Sequence, residues 1–319
     1  MEAIVLAGGY ATRLWPITRH RPKMLLPVGE RTVIDRILAE LETDDRIDDV
    51  YVSTNERFAD SFEDHLADSG FEKPQLSVEE TVEEDEKLGV VGALGQLVDR
   101  EGIADEDLLV IAGDNLISFD VADFLDTFLE KREPTLAAYD VGSRQGASAY
   151  GVIDVDGDQV VDFQEKPDDP PSSLVSIACY AFPAGDVRFD EYLAGDNNPD
   201  EPGWFLQWLQ ARRSVRAFTF DDAWFDIGTP EGYLDAVAWA LNGDTVVAPT
   251  ASVENSDLGE NVHVMPGAEV TDSTLDHSLV FPDAVVENST LCESIVDRES
   301  TVRGLDLAGA LVGAHSQLP

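Results

Sequence analysis

The 319-residue chain is poor in cysteine, in lysine and in positive charge as a whole. Its two cysteines, Cys179 and Cys292, stand far apart in apolar stretches, so the sequence supports neither a disulfide framework nor a cysteine-based metal cluster. No apolar run is long enough for a membrane span, and the chain opens on Met1-Glu2-Ala3 without a basic leader. We therefore expect a soluble, cytoplasmic protein.

Acidic residues outnumber basic ones by 64 to 21, which gives a formal net charge of -43. Because a surface this negative repels phosphate backbones and anionic headgroups, we expect no nucleic acid and no membrane among the partners. Self-repulsion strains such a chain in dilute salt, whereas at about 1 M salt the Debye length falls to about 3 Å. Lysine is also rare beside arginine. These features indicate a protein of a salt-rich cytoplasm, from a halophilic archaeon.

The first part of the chain alternates short apolar runs with amphipathic stretches. Apolar residues at helical spacing predict a helix over 32–42, and a proline at the first turn opens a second over 230–241. This alternation predicts an α/β domain with a mostly parallel sheet, which the turn signal Asp156-Gly157 makes mixed by adding a hairpin. The predicted strands are 3–7, 50–53, 108–112, 135–139, 151–155, 160–164, 174–182 and 215–220.

From about residue 250 helical spacing gives way to a repeat of sixteen residues. A fixed period with aligned apolar positions predicts stacked units that share one core. We expect a left-handed, hexapeptide-like β-helix over 244–319, with a structural or oligomerising role, after the α/β domain over 1–243. The aligned columns are Val270, Val286 and Val302; Leu275, Leu291 and Leu307; Leu279, Ile295 and Leu311; and Val280, Val296 and Val312.

The acid excess has a long gap near the start of the chain. No acidic residue stands between Glu2 and Glu30, a stretch that holds three arginines and one lysine. On an otherwise negative surface, such a gap predicts a place that admits an anion. A second acid-free stretch, 202–220, makes the gap less distinctive. The first stretch also has two glycines directly after a predicted strand, where they let backbone N–H groups close on phosphate.

The run from Leu6 to Lys23, LAGGYATRLWPITRHRPK, resembles the opening motif of the sugar-1-phosphate nucleotidyltransferases, which include the glucose-1-phosphate thymidylyltransferases. These enzymes join a nucleoside triphosphate to a sugar 1-phosphate and release pyrophosphate. The resemblance covers about residues 1–241 and implies a Rossmann-like mixed sheet flanked by helices, followed in several members by a left-handed β-helix. Further matching motifs are GVVGAL from Gly89, AGDN from Ala112, YGV from Tyr150, EKP from Glu165 and WFDIGT from Trp224.

The resemblance also implies a role for residues in these motifs. Arg13 would bind the β- and γ-phosphates and Lys23 would lie near the α-phosphate. Asp114 and Asp226 would hold Mg²⁺, which often takes one or two carboxylates together with phosphate oxygens. The catalytic candidates are Arg13, Lys23 and Asp114; the nucleotide-binding candidates are Leu6, Ala7, Gly8, Gly9, Glu84 and Gly89; the sugar-phosphate-binding candidates are Asn115, Tyr150, Gly151, Glu165, Lys166 and Tyr180.

Two of these residues also have an ordinary structural interpretation. Without the motif, Asp226 equally serves as a cap for the helix that starts near 229, and Lys166 as a surface salt bridge. The loop departs from the family too, since many relatives have glycine at the place of Ala11.

The base and the sugar stay open. An ungapped count places Glu84 where thymidylyltransferases carry a base-reading glutamine. A carboxylate only accepts hydrogen bonds, which suits the N1–H and amino group of guanine. The count crosses the acidic loop 79–87, where alignment is poor. We expect glucose 1-phosphate with dTTP or UTP, with mannose-1-phosphate guanylyltransferase-like specificity as the alternative.

Two further hypotheses share this architecture. A non-catalytic regulatory protein would bind nucleotide sugars without making them, but it would not need both metal-binding aspartates. A bifunctional enzyme would also transfer an acetyl group, with His263, His277 or His315 of the β-helix as the base. A β-helix this short leaves little room for an acetyl-CoA groove between subunits. For the assembly, we expect a homo-oligomer.

Overall fold

The computed structural model describes residues 1–79 and 89–319, over which the chain divides into two units. The boundary falls within the glycine pair, between Gly8 and Gly9. The segment Gly9–Ile34, here called the basic segment, thus belongs to the unit that contains the repeat. The predicted domains over 1–243 and 244–319 stay a prediction. The first unit comprises Met1–Gly8 and Asp35–Trp224, and the second comprises Gly9–Ile34 and Phe225–Pro319.

Among the described residues, nine strands form the mixed sheet of the first unit, in the order β3-β2-β1-β4-β8-β5-β9-β7-β6. The four strands β3, β2, β1 and β4 run parallel to one another, whereas β8 is antiparallel to both β4 and β5. The bounds are β1 Glu2–Leu6, β2 Val50–Asn55, β3 Pro74–Glu79, β4 Leu108–Ala112, β5 Thr135–Asp140, β6 Gly151–Asp156, β7 Gln159–Glu165, β8 Leu174–Phe182 and β9 Arg216–Phe220.

The sheet confirms the eight strands and the mixed α/β fold that the sequence predicts. Strands β1 and β4 are buried apolar runs, as is typical of parallel strands covered on both faces. Asp156 pairs with Gln159 across a two-residue turn in which Gly157 has a φ of 66°, which confirms the predicted hairpin. Strand β3 was not predicted from the sequence.

Helix α3, Val90–Glu101, packs against this sheet through its apolar face. In α3, the side chains of Val91, Leu94 and Leu97 are buried in the same core cluster as Phe182 and Phe205. Helices α1 and α8 confirm the two predicted helices. The bounds are α1 Val33–Thr43, α2 Glu56–Ser69, α3 Val90–Glu101, α4 Val121–Lys131, α5 Arg144–Ala147, α6 Phe189–Leu193, α7 Pro202–Gln210 and α8 Pro230–Leu241, with 3₁₀ turns at Thr12–Leu14 and Lys23–Leu25.

The repeat in the second unit forms three stacked parallel sheets, which is the arrangement of a β-helix. The register pairs Val270 with Val286 and Leu275 with Leu291, and so confirms the sixteen-residue columns. The left-handed sense stays a prediction. The first sheet contains Val246–Val247, His263–Val264, Leu279–Val280, Ile295–Val296 and Leu311–Val312; the second Ser252–Glu254, Glu269–Thr271, Val285–Glu287, Thr301–Arg303 and Gln317–Leu318; the third Asp257–Leu258, Thr274–Asp276, Thr290–Cys292 and Asp306–Ala308.

Each coil turns its corners on residues in the left-handed backbone region. The corner residues recur at the repeat interval, as His277 and Glu293 do with φ values of 44° and 47°. The side chains of these two residues lie outside the core cluster, whose interior is filled by the valine and leucine columns. In the described ranges, no helix is both long and apolar enough to cross a membrane.

Candidate active site

The predicted glycine loop begins where three parallel strands end. The N–H of Gly113 donates to the carbonyl oxygen of Leu6 over 2.8 Å, and the N–H of Ala7 donates to that of Ser53 over 2.7 Å. The side-chain amide of Asn55 donates to the carbonyl of Gly8 over 2.8 Å. The carboxyl ends of parallel strands are the usual ligand-binding edge of such sheets. Leu6, Ala7 and Gly8 therefore lie at the edge of the sheet where ligands usually bind, and their contact with a nucleotide stays a prediction.

Asp114 stands at the same edge. It occupies the turn between β4 and the short strand Asn115–Ile117, and it is half-buried. The hydrogen bond from Gly113 to Leu6 ties this turn directly to the end of β1. The structure thus brings Asp114 next to the first residues of the predicted nucleotide loop.

Gly89 is the first described residue after the gap at 80–88 and precedes α3. Its φ is 77°, and a Cβ atom there would collide with the backbone of Pro199. The N–H of Val91 donates to the same Pro199 carbonyl over 2.9 Å. Only glycine fits this close backbone approach. Glu84, the candidate base-reading residue, lies outside the described residues.

Five of the six predicted sugar-binding residues form one cluster. The indole Nε1 of Trp224 donates to Asn115 Oδ1 over 2.7 Å, and the Tyr150 ring stands edge-on to the same indole at 5.2 Å between centroids. The carbonyl of Tyr150 accepts from the N–H of Lys166 over 3.0 Å, and Gly151 pairs with Glu165 in the hairpin. Sequence reasoning missed Trp224 as the residue that joins this cluster, although the WFDIGT motif contains it.

Glu165 is the most perturbed acid of this cluster. Its side chain packs on two glycines, so that a Cβ on Gly203 would overlap its carboxylate and one on Gly151 would lie 2.8 Å from Oε2. Burial, and next to it the hydrogen bond and charge of Glu201, raise the pKa of Glu165 to about 7. The Glu165 side chain therefore changes charge near neutral pH.

Lys166 forms an ion pair with Glu201 rather than with its neighbour Glu165. Both side chains are partly exposed, so the pair itself adds little stability. Its effect on the cluster is electrostatic, because the Lys166 charge lowers the pKa of Glu165 while that of Glu201 raises it. No motif in the sequence marks Glu201.

Tyr180 lies deeper than the other candidates. It is 5% exposed and belongs to the apolar core cluster of the first unit. Burial raises the pKa of its hydroxyl, and the nearby charge of Glu165 adds to that effect. Tyr180 is thus a core residue that feels the charge of Glu165, and its role in lining a pocket stays a prediction.

In the second unit, the basic segment carries Arg13 and Lys23. Arg13 lies in the 3₁₀ turn that follows Ala11, whose φ of 48° is in the left-handed region that favours glycine. Lys23 is 7% exposed and opens the next 3₁₀ turn, and a Cβ on Gly9 would lie 3.9 Å from its Cε. Lys23 therefore lies beside Gly9 in space, and Arg13 follows Gly9 closely in the sequence.

Asp226 and Arg13 converge on Gly228. Arg13 Nη2 and Asp226 Oδ1 lie 2.7 Å and 3.0 Å from the position that a Cβ on Gly228 would occupy. Asp226 Oδ1 accepts from the N–H of Gly228 over 2.9 Å, while Thr229 accepts from Gly232 and caps α8. The alternative role of Asp226 as the cap of this helix is therefore wrong, because Thr229 performs it.

A carboxylate, such as that of Asp114 or that of Asp226, suits Mg²⁺, a hard cation that prefers oxygen ligands, and the assignment of both to one ion stays a prediction. Over the described ranges, no group of three or more His, Cys, Asp or Glu side chains is placed to hold a metal ion. Mg²⁺ usually takes one or two carboxylates, with the remaining ligands supplied by phosphates and water.

The three histidines considered as acetyl-transfer bases occupy different environments. His277 and His315 occupy left-handed corners, and each lies beside a carboxylate, Asp276 and Glu299 respectively. His263 is buried in the first sheet, and burial lowers its pKa.

Known proteins resemble this chain over most of its length. The model of the nucleotidyl transferase family matches residues 2–243. A Sulfolobus acidocaldarius protein, provisionally named a mannose-1-phosphate guanyltransferase, is 30% identical over 276 residues, which are 86% of this chain and 72% of that protein. The mannose-1-phosphate guanylyltransferase of Mycobacterium tuberculosis is 29% identical over 283 residues, 86% of this chain and 74% of that protein.

A solved structure supports the same fold. The Bacillus anthracis protein provisionally named a glucose-1-phosphate thymidylyltransferase, crystallised with sucrose, has a TM-score of 0.66 at 24% identity. The likeness covers 78% of this chain and 97% of the other, and at this identity it bears on the fold alone. With its Rossmann-like mixed sheet and its family match over residues 2–243, this chain belongs to the nucleotidyl transferase family.

Proposed function

We propose that this protein transfers a nucleotidyl group from a nucleoside triphosphate to a sugar 1-phosphate, forming a nucleotide sugar and pyrophosphate. The observation that carries the proposal is the hydrogen bond between Gly113 and Leu6, which puts the Asp114 turn beside the start of the glycine loop. The match to the nucleotidyl transferase family over residues 2–243 supports the same proposal.

The chemistry requires two polyanions to approach each other. An oxygen of the sugar phosphate attacks the α-phosphorus while pyrophosphate leaves, so catalysis rests on positioning and on positive charge. We assign Arg13 to the β- and γ-phosphates and Lys23 to the α-phosphate. Gly9 contributes backbone that phosphate can approach, because it has no side chain.

Asp114 and Asp226 would hold Mg²⁺ in this proposal. When bound, the ion neutralises charge on the phosphates and orients them. The N–H of Gly228 fixes one oxygen of Asp226, and the guanidinium of Arg13 lies beside the same glycine. Asp226 would therefore orient Arg13 as well as contribute a metal ligand.

The sugar phosphate is assigned to the cluster around Trp224. Asn115, Gly151 and Glu165 would meet the sugar hydroxyls, and Lys166 would contact the phosphate, with Tyr150 and Tyr180 as flanking rings. Glu165 accepts hydrogen bonds from hydroxyls when it is ionised. Its raised pKa makes this contact sensitive to pH.

The substrate pair is a finer proposal. The sequence favoured glucose 1-phosphate with dTTP or UTP, whereas the two similar proteins named above carry the name of mannose-1-phosphate guanyl- or guanylyltransferase. The carboxylate of Glu84 also suits guanine. We therefore propose GTP with mannose 1-phosphate as the second candidate pair. The charge of -43 favours a salt-rich cytoplasm as the place of the reaction.

The test is a forward assay in concentrated KCl with Mg²⁺, pairing dTTP, UTP, GTP, ATP and CTP in turn with glucose 1-phosphate and mannose 1-phosphate. Lys23→Ala and Asp114→Ala should each lower kcat by about 10²-fold or more, since single groups that stabilise transition-state charge have this effect. Lys131→Ala, on an exposed helix end, is the matched control and should leave the rate unchanged.

Turnover with any pair supports the proposal, and the preferred pair decides between the two candidate specificities. A folded protein that turns over no pair would refute it. Equal rates for Lys23→Ala and the Lys131→Ala control would refute the role of Lys23.

A further inference from the structure

The first sheet of the β-helix is covered on its outer face. Within each two-residue strand, the second residue fills the interior, as Val280 and Val296 do in the core cluster of the repeat. Because side chains alternate along a strand, the preceding residues point away from that interior. Yet Leu279 and Ile295 are fully buried. Other residues of the chain therefore cover this face.

The residues that follow these strands show what covers it. Phe281, Asp297 and Gly313 stand at equivalent positions of three successive coils. The guanidinium of Arg21 lies 4.7 Å from the centre of the Phe281 ring and pairs with Asp297. A Cβ on Gly313 would lie 2.7 Å from Cβ of Pro16. Part of the basic segment thus lies across three coils of the β-helix.

The ion pair of Arg21 and Asp297 is the polar centre of this contact. Asp297 is 1% exposed, and a carboxylate so buried needs a charged partner. The N–H of Arg298 donates to Oδ1 of Asp297 over 2.7 Å and fixes its orientation. The Nε of Arg21 donates to the carbonyl of Ile17 over 3.1 Å, so the same side chain also closes the turn 17–21.

Both phosphate-binding candidates are tied to this turn. The hydroxyl of Thr18 donates to the carbonyl of Ala11 over 2.8 Å, and Ala11 leads into the 3₁₀ turn that holds Arg13. On the other side, only Pro22 separates Arg21 from Lys23. Because the φ of proline is fixed, the position of Arg21 restricts the positions that Lys23 can take.

We propose that Arg21 is a positioning residue, anchored by Asp297 and Phe281 of the β-helix, that holds Arg13 and Lys23 in the geometry that binds the triphosphate. The β-helix is then part of the nucleotide-binding machinery and not only a structural or oligomerising module. This inference rests on the proposed function for the identity of the ligand. The anchor, by which we mean the contacts of Arg21 with Asp297 and Phe281, does not depend on that function.

The anchor is tested by hydrogen exchange on the full-length protein. Asp297→Asn keeps the shape of the side chain and removes its charge, and Asp306→Asn, on an exposed strand of the same β-helix, is the matched control. We expect faster exchange of the backbone amides between residues 14 and 26 in Asp297→Asn, with other regions of the protein unchanged. Phe281→Leu should produce a smaller effect in the same segment.

Steady-state kinetics on the same variants distinguish positioning from general destabilisation. We expect KM for the triphosphate to rise and kcat to fall, together by about tenfold or more in kcat/KM, because misplaced charges lose transition-state contacts. KM for the sugar phosphate should stay within twofold of the control. Arg21→Lys, which keeps the charge for Asp297, should retain more activity than Arg21→Gln.

Unchanged exchange of the basic segment in Asp297→Asn would overturn the inference, whether or not the wild-type protein turns over substrate. An equal rise in both KM values would also overturn it, because it would show a general loss of structure. A wild-type protein without activity would refute the proposed function, and the exchange data would still decide on the anchor.

Discussion

The ionisation of Glu165 offers a quantitative test of the sugar site. Burial is the main cause of its raised pKa of about 7, and the neighbouring Glu201 is the next. Only the ionised form accepts hydrogen bonds through both oxygens from sugar hydroxyls. We therefore expect kcat/KM for the sugar phosphate to rise with pH through neutrality.

The magnitude follows from the pKa. With a pKa of about 7, about a tenth of the Glu165 side chains are ionised at pH 6 and about nine-tenths at pH 8, so the rise is roughly tenfold. The effect of rising pH on the stability of the fold has the opposite sign to its effect on kcat/KM. Because the folded-state pKa lies above the ordinary value of 4.5, the contribution of Glu165 to stability is present below pH 4.5 and is lost as pH rises through about 7.

The assay measures kcat/KM for the sugar phosphate from pH 5.5 to 8.5 at saturating triphosphate and constant ionic strength. Glu201→Gln removes the neighbouring acid and should move the midpoint to lower pH, although burial keeps it above 4.5. Glu165→Gln is the control, because any pH dependence left in it comes from the substrate phosphate, whose second pKa is about 6. A midpoint that is the same in Glu201→Gln and in the wild type would refute the reasoning.

Four further predictions follow from single contacts and from the charge. Gly203→Ala should raise KM for the sugar phosphate, because the new Cβ displaces the Glu165 carboxylate, whereas Gly95→Ala, whose nearest neighbours would lie at 3.4 to 3.5 Å, should not. Ala11→Gly should raise the free energy of unfolding by about 1 kcal/mol in chemical denaturation, since alanine is strained at a φ of 48°. Leu291→Ala, at a fully buried column position, should lower it by about 2–5 kcal/mol. The melting temperature should rise between about 0.1 and 1 M KCl as the Debye length shrinks, and a salt-independent value would contradict the role of charge.

The periodic parts of the fold could be predicted from the sequence. The valine and leucine columns of the β-helix are visible because stacked coils repeat one environment at one interval. Strands such as β4 are visible because both of their faces are buried and the run is wholly apolar. Strand β3 was missed because its burial is partial and its sequence, PQLSVE, has no such run.

The column of Leu279 and Ile295 shows that periodicity alone does not predict which side of the sheet a residue occupies. Its residues repeat like those of the core, yet they point out of the β-helix and are buried by other parts of the chain. A repeat shows that an environment recurs, but not which side of the sheet it occupies. The partner of Asp297, Arg21, is 276 residues away in sequence, and no local pattern connects the two.

The candidate site residues that belong to short sequence motifs could be predicted, whereas a residue outside these motifs was missed. Asn115, Tyr150 and Lys166 were found through their motifs, and the structure joins them through Trp224. Glu201 was missed, because an ordinary glutamate in an acidic chain gives no signal until the fold places it beside Glu165.

The most direct test of nucleotidyl transfer is the stoichiometry of products in concentrated KCl with Mg²⁺. Mass spectrometry and a pyrophosphate assay on the same reaction should find one nucleotide sugar for each pyrophosphate with the wild-type protein, and neither product above background with Asp114→Ala. Pyrophosphate or phosphate released without nucleotide sugar, or no product from any of the triphosphate and sugar phosphate pairs, would contradict the proposed function.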